Sequence, residues 1–517
     1  MSSSVLPLVL LALGFLARLG WSAWGFLNPD EAAHYLLSVQ PSLAFVYKAS
    51  LTTAHPPLLI VLLHYWQKLG NSEILLRLPS VLAGSSFCWI MFGWMEQVAG
   101  RRRALVTLAL LLFSPSLISL SAEVRQYSLL LCFCAGGLYL LERSIAENST
   151  ALMAASGVCL YLAMLSHYSS LIFALTSGIY GLLRLRSSAS RVGLIAVWST
   201  VQAAGVGLAT LLYFTHVSKL QDRNLPQQIA DTWLRNSIFH RGDENVLAFI
   251  AKANLRVFHF DFGNNVIGVL GLVLFIVGIV VLMREPRDHP NGSMPGARLL
   301  GCLLVLPFAI NCFLAVAGVY PYGGTRHNAL LAAFAMCGVS AGMCAWKSST
   351  RWAGPLLLVA ALLVCNIFPS PAGAYIKPRN QDRRLMLQAA RALEGVPRGA
   401  ILFTDYQSGL LLSYYHCKDK VVQFDPPFQD LMQSTCAGLR VVSTSPRLWI
   451  FEPGTFPKAL AGLQRELGRN SETRVWIFQA GWLVNDEPLM RKQLGNYGCE
   501  TPQSFGENIL LCELKSQ

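Results

Sequence analysis

The sequence predicts an α-helical polytopic membrane protein with a small α/β domain at its C-terminal end. Three observations lead there. Of its 517 residues, 53% are hydrophobic and only 13% are charged, against about a quarter charged in a water-soluble domain. Apolar runs close to the roughly 20 residues needed to cross hydrocarbon recur from residue 5 to residue 370. From residue 371 onward the apolar runs become short and alternate between helical and strand spacing.

Each run is justified by the same length criterion. The expected spans are 5 to 27, 74 to 96, 104 to 121, 127 to 142, 151 to 167, 169 to 184, 192 to 214, 264 to 283, 299 to 319, 327 to 345 and 353 to 370, about eleven helices that satisfy their own backbone groups in lipid. The first carries Arg18 and several aromatics and has no basic leader with a small-residue cleavage site, so it reads as a retained span.

Short cytoplasmic loops are rich in Lys and Arg. With the N-terminus inside, the inner loops hold Arg101 to Arg103, Arg143, Arg184 with Arg186 and Arg191, Arg284 with Arg287 and Arg298, and Lys347 with Arg351. That alternation makes the N-terminus cytoplasmic and leaves residues 28 to 73, 215 to 263 and the tail from 371 outside. It also accounts for the formal charge of +13, whose arginines lie in short clusters between spans rather than on one face, so no nucleic acid is expected.

The division is therefore a membrane domain over residues 1 to 370 and an extracytoplasmic α/β domain over 371 to 517. In the first outer loop, "DEAAHYLLSVQ" and "PPLLIVLLHYWQKLG" read as helices at the membrane surface. The tail offers a helix at "QDRRLMLQAARALEGV" and strands at "AILFTD", "VVQF", "LWIF", "RVWIF" and "NILLCEL". Of the thirteen cysteines, Cys417, Cys436, Cys499 and Cys512 fall in this outer domain. An oxidising compartment permits disulfides there, at least one is expected, and spacing does not choose among the three pairings.

Polar residues at the outer ends of spans carry what chemistry the sequence offers. Asp30 and Glu31 in "NPDEAAHY" suit a helix N-cap and first turn, or a general base beside a second polar or metal-binding group. His55 precedes two prolines in "AHPPLLIVLLHYW" and reads alone as a loop residue. Glu123, Arg125 and Tyr127 lie in "SAEVRQYSLLL", where the arginine either snorkels to the interface or receives a phosphate. In "YPYGGTRHNALL", Tyr320 and Tyr322 suit an aromatic belt, while Arg326 and His327 at a helix start suit an anion site.

The acidic pair, then "HPPL", "RLPSVLAG" and "SPSLISLSAEVRQYSLLL", in that order, resembles the GT-C membrane glycosyltransferases of the protein mannosyltransferase and aminoarabinose transferase type, family 39 or 83 in its bacterial or archaeal branch. The resemblance covers about the first 170 residues and extends to "YPYGGTRH". It implies an inverting transferase whose donor is a sugar on a polyprenyl phosphate. By that analogy Asp30 is the catalytic base and Glu31 its acidic neighbour. Arg125 and Arg326 are then candidates for the lipid phosphate, with His55, Glu123, Tyr127, Tyr322 and His327 lining the substrate site. His55 departs from the aminoarabinose transferases, which have another residue before the proline. Family members differ in needing a divalent metal, for which Asp30 and Glu31 are the candidate ligands.

A sugar on a lipid monophosphate is already activated, so one carboxylate and a few cations suffice, and no nucleotide-binding glycine loop is needed. The acceptor is an envelope component: a glycolipid, a polysaccharide or a protein. A multi-span transporter or a membrane scaffold without transferase activity is the alternative. The polar candidates gather at one predicted surface rather than at mid-bilayer, and no inverted repeat is visible. A metalloprotease reading of "DEAAH" fails because Asp stands where a zinc-binding histidine must be. Asp405, at a strand end in the tail, forms no recognisable site.

Overall fold

The computed structural model describes residues 5–187, 192–219, 234–285, 294–345, 353–367, 382–417, 424, 430–446, 448–451, 454–467, 474–481, 487–499, 502–507 and 509–514. Two compact units emerge. The first comprises residues 1–22, 53–59 and 77–377, and the second 23–52, 60–76 and 378–517. The division thus departs from the single boundary expected at 370. The surface helices of the first outer loop cluster with the tail, because the apolar faces of "DEAAHYLLSVQ" and "LLIVLLHYW" bury with the tail's residues in one core.

The helices preceding the tail are α1 (Val5–Trp24), α2 (Pro29–Ser38), α3 (Leu43–Ser50), α4 (Leu58–Trp66), α5 (Glu73–Ala99), α6 (Arg101–Phe113), α7 (Pro115–Ser121), α8 (Tyr127–Ala146), α9 (Thr150–Ser166), α10 (Ser170–Ser187), α11 (Val192–Thr215), α12 (Val246–Phe262), α13 (Asn265–Arg284), α14 (Ala297–Val316), α15 (Ala329–Met343) and α16 (Ala353–Ile367). Among the described residues, six helices are long and apolar enough to cross a bilayer, or seven if the bent pair α6 and α7 is one span. Each of the expected spans contains a helix, several shorter than anticipated.

Helix α12 lies where the sequence suggested only an outer loop. Lys252, Arg256 and Asp261 interrupt its hydrophobicity, so a hydropathy reading passes over it. Yet Phe249, Ala253, Val257 and Phe260 are buried at helical spacing. Asn245 caps its start by accepting hydrogen bonds from the Leu247 and Ala248 amides, and Gly263 ends it at φ 64°. Helices α13 and α15 approach so closely that a methyl group on Gly278 would meet the Gly338 carbonyl oxygen at 2.0 Å; small residues allow such contacts in membranes.

The tail forms a six-stranded mixed sheet of β1 (Ile401–Thr404), β2 (Leu431–Cys436), β3 (Leu439–Thr444), β4 (Val475–Ala480), β5 (Gln503–Ser504) and β6 (Ile509–Leu514), in the order β2-β3-β1-β4-β6-β5. Strand β1 is parallel to β3 and β4, with Leu402 opposite Val441 and Trp476. The other pairings are antiparallel. Its helices are α17 (Arg383–Leu393), α18 (Tyr406–Tyr415), α19 (Phe456–Leu467) and α20 (Glu487–Asn496).

The expected strands at "AILFTD", "RVWIF" and "NILLCEL" are present. "LWIF" is not a strand: after β3 the chain turns, Leu448 N–H bonding back to the Ser445 carbonyl. Residues 421 to 423 of "VVQF" lie outside the described residues. The β2–β3 hairpin was not anticipated, because its two-residue loop is Ala437-Gly438, both at positive φ, rather than the Asn-Gly or Asp-Gly that announces such a turn. Cys417 pairs with Cys436 and Cys499 with Cys512, the Cα atoms 5.0 and 6.1 Å apart, so both bridges staple this domain.

Candidate active site

The acidic pair belongs to the unit that includes the tail. Pro29 opens α2 and Asn28 is its N-cap. The Asn28 side-chain oxygen accepts from the Glu31 amide at 3.0 Å, and the Glu31 carboxylate accepts from the Asn28 amide at 2.8 Å. This reciprocal capping box engages Glu31, which is buried. The capping box is therefore made by Asn28 and Glu31. Asp30 is half-buried, and its carbonyl accepts from His34 Nδ1 at 2.6 Å.

The chain entering α2 is held firmly. The Leu27 amide donates to the Tyr415 hydroxyl at 2.8 Å, and that hydroxyl donates to Glu73 at 3.0 Å. Arg383 completes the chain by pairing with Glu73 at 3.1 Å. Helix α2 rests on α18, with Tyr35 edge-on to Tyr414 at 5.1 Å.

A second group lies in the helical unit. Four separate stretches of chain contribute to it: the loop before α4, the turn between α7 and α8, the turn between α9 and α10, and the start of α15. The rings of His55 and His167 are 5.5 Å apart, those of His167 and His327 6.3 Å, and Tyr127 lies 5.2 Å from His167. The Arg125 guanidinium stands over the Tyr127 ring at 5.6 Å, and both Arg125 and Arg326 act electrostatically on His167. Arg125, Tyr127 and His167 are buried.

Backbone and serine contacts hold these side chains in place. Ser80 on α5 donates to the Arg125 carbonyl at 3.2 Å, and the Arg125 amide bonds the Glu123 carbonyl at 2.8 Å. Tyr320 donates to the His327 carbonyl at 2.9 Å. Gly323 adopts φ 151°, and Asn328 donates to its carbonyl at 3.0 Å, closing the turn that presents Arg326. Among the described residues the buried Tyr127 hydroxyl has no hydrogen-bond partner. Tyr322 instead anchors to α12: its ring is buried and its hydroxyl donates to Asn254 at 2.7 Å.

Arginines drawn together in a partly buried place are favoured by an anion between them. Arginine supplies the planar fork of donors that a phosphate accepts, and a helix start adds amide donors.

Residues 54–215 match the family of dolichyl-phosphate-mannose-protein mannosyltransferases. The chain is similar over its full length to ArnT from Cupriavidus metallidurans. The structure bound to undecaprenyl phosphate shares 13% identity at a TM-score of 0.52, and that in the apo state 12% at 0.53, each covering 100% of both chains. No curated protein sequence matches the chain. The fold is that of the GT-C glycosyltransferases.

Within this GT-C framework, the sequence reading brought together His55, Arg125, Tyr127, Arg326 and His327, and the structure joins them to a residue it missed. His167, in "LSHYSS", ends α9 and stands at the centre of the ring cluster. A histidine between two apolar runs looks like any interfacial residue, and only the fold reveals its neighbours. Among the described residues, no group of three or more His, Cys, Asp or Glu side chains is arranged to hold a metal ion.

Proposed function

We propose that this integral membrane protein transfers a sugar from a polyprenyl-phosphate-linked donor to a cell-envelope acceptor on the extracytoplasmic side. The observation that carries the reading is the convergence of two arginines and three histidines from four stretches of chain. Three of those stretches lie within or at the edge of the segment that matches the mannosyltransferase family. Arg125 and Arg326 bind the lipid phosphate and stabilise its charge as it leaves, with His55, Tyr127, His167 and His327 around it and Glu123 and Tyr322 shaping the surrounding turns.

Asp30 is the general base that takes the proton of the acceptor hydroxyl. Its neighbour Glu31 fixes the helix start from which Asp30 projects. On this reading the chain carries about eleven spans, several of them shorter helices than a full crossing needs, with the N-terminus cytoplasmic and the tail domain extracytoplasmic. The arginine alternation supports that orientation, and so do two disulfides confined to the tail.

A strain lacking the gene, compared with wild type by mass spectrometry of its envelope glycolipids, polysaccharides and proteins, will lack one sugar modification and accumulate the lipid-linked sugar. Complementation with Asp30→Asn, which preserves shape, is expected to leave transfer lower by on the order of a hundredfold to ten-thousandfold. Transfer within a few-fold of wild type by the folded variant would remove Asp30 from the base role.

A further inference from the structure

Helices α6 and α7 are separated by a break at Ser114 and bent by 61° to one another. The chemistry of the break is local. Proline at 115 has no N–H, so the Leu111 carbonyl loses the partner four residues on that a continuous helix would supply. Ser114 still bonds back to Leu110 at 3.0 Å, but the carbonyls of Leu111 and Leu112 are left over about 15–17 Å from the Arg101 end, a depth that lies in hydrocarbon if that end is at the membrane surface. An unsatisfied carbonyl there costs several kcal/mol.

Arg18 of α1 supplies what the proline removes. Its guanidinium donates to the Leu111 carbonyl at 3.1 Å and to the Leu112 carbonyl at 2.9 Å, as well as to Gly14 at 3.0 Å. The side chain is wholly buried, and its positive charge faces the negative end of α6. Gly14 permits the approach: a methyl group there would stand 2.5 Å from a Leu112 methyl. On the far side of the break, Ser114 donates to the Asp261 carbonyl at 2.7 Å and Ser116 to the Asp261 carboxyl at 3.4 Å. The bent segment is thus gripped by α1 and by α12.

Helix α7 runs directly into Glu123, Val124 and Arg125. We propose that Arg18 is a positioning residue: by holding the span bent at Pro115 it fixes where α7 presents Arg125 to the phosphate of the donor. This rests on the reading of Arg125 as a phosphate ligand. The guanidinium meets the Gly14, Leu111 and Leu112 carbonyls with donors held in one plane, a fixed fork that the compact ammonium of lysine does not reproduce.

The test uses the full chain purified in detergent, with three variants: Arg18→Met, the double variant R18M/P115A, and Arg125→Lys. Alanine at 115 restores an N–H for Leu111, so the double variant should recover the melting temperature that R18M loses. Its bend should relax, and spin labels at positions 101 and 123 should move apart by about 4 Å, given a rise of about 1.5 Å per residue. Binding of a polyprenyl phosphate should remain weakened, by up to on the order of a hundredfold if Arg125 is displaced by an ångström.

A double variant that recovers melting temperature, label distance and lipid binding together overturns the proposal, and so does one whose label distance never changes. Unaltered lipid binding in Arg125→Lys would instead sink the phosphate reading, while the label distance still judges the clamp.

Discussion

Two buried polar groups, one in each compact unit, obey opposite rules. In the tail domain, Asp405 lies wholly buried at the end of β1 and accepts from four donors: the Ser408 amide and hydroxyl, the Phe451 amide at 3.0 Å and Gln479 at 3.2 Å. In the helical unit, Arg125, Arg326 and three histidines crowd together with like chemistry. The first is a network closed on itself, which rigidifies a core. The second gathers cations and imidazole rings from four stretches of chain, an arrangement that proteins keep where they bind something. Burial alone does not mark a site; the kinds of group brought together, and from how many stretches of chain, say more.

The bundle contains its own closed network, and disrupting it should give the largest change in stability. Glu142 on α8 pairs with Arg184 on α10 at 3.2 Å and accepts from the Tyr180 hydroxyl, all three fully buried. Glu142→Leu leaves the arginine without its carboxylate in low dielectric and should cost about 3–5 kcal/mol. The measurement is the melting temperature in detergent. A shift no larger than that of a surface substitution would break the equation of closed networks with structure.

Asp405→Asn should cost less, about 1–3 kcal/mol, because the new amide group turns a donor toward donors. Burial pushes the Asp405 carboxyl above the usual carboxylate range despite its four hydrogen bonds. The native state therefore binds a proton that the unfolded chain has released, and stability from this group falls as pH rises from about 4 through the raised value. Relative to the asparagine variant, the wild type should gain stability as pH is lowered toward 4. A relative loss on acidification would reverse the sign and contradict the dominance of burial.

Closed and open networks were unequally legible in the sequence. Hydropathy located the membrane helices because lipid forces backbone groups to be satisfied within each span, and β1, β4 and β6 followed from apolar runs bounded by turns. Helix α12 was hidden by Lys252, Arg256 and Asp261, whose placement on a helix is settled by packing rather than by composition. Glu31 and Asp30 looked equivalent as adjacent carboxylates, since only three-dimensional geometry shows which of them reaches the Asn28 amide. The clustering of residues 23–52 and 60–76 with the tail is likewise a matter of long-range contact that no local pattern announces. His167 was missed for the same reason: its meaning comes from Tyr127, His55 and His327, 40, 112 and 160 positions away.

His167 offers the finest division between the two kinds of network, because one of its ring nitrogens is tied and the other is not. The Ser169 amide approaches Nδ1 at 3.1 Å. An amide can only donate, so Nδ1 accepts, and the proton of the neutral ring resides on Nε2. Among the described residues Nε2 makes no hydrogen bond. A donor of fixed direction is thereby presented beside Tyr127, His55 and His327, and an oxygen of the lipid phosphate is the acceptor it suits. Glutamine places an N–H near the position of Nε2, whereas asparagine reaches only as far as Nδ1. His167→Gln should therefore hold a polyprenyl phosphate nearly as well as wild type. His167→Asn should weaken it by several-fold, in keeping with about 0.5–1.5 kcal/mol for one hydrogen bond, with little change in melting temperature. Equal weakening in both variants would show that ring shape, not the Nε2 proton, is what the cluster uses.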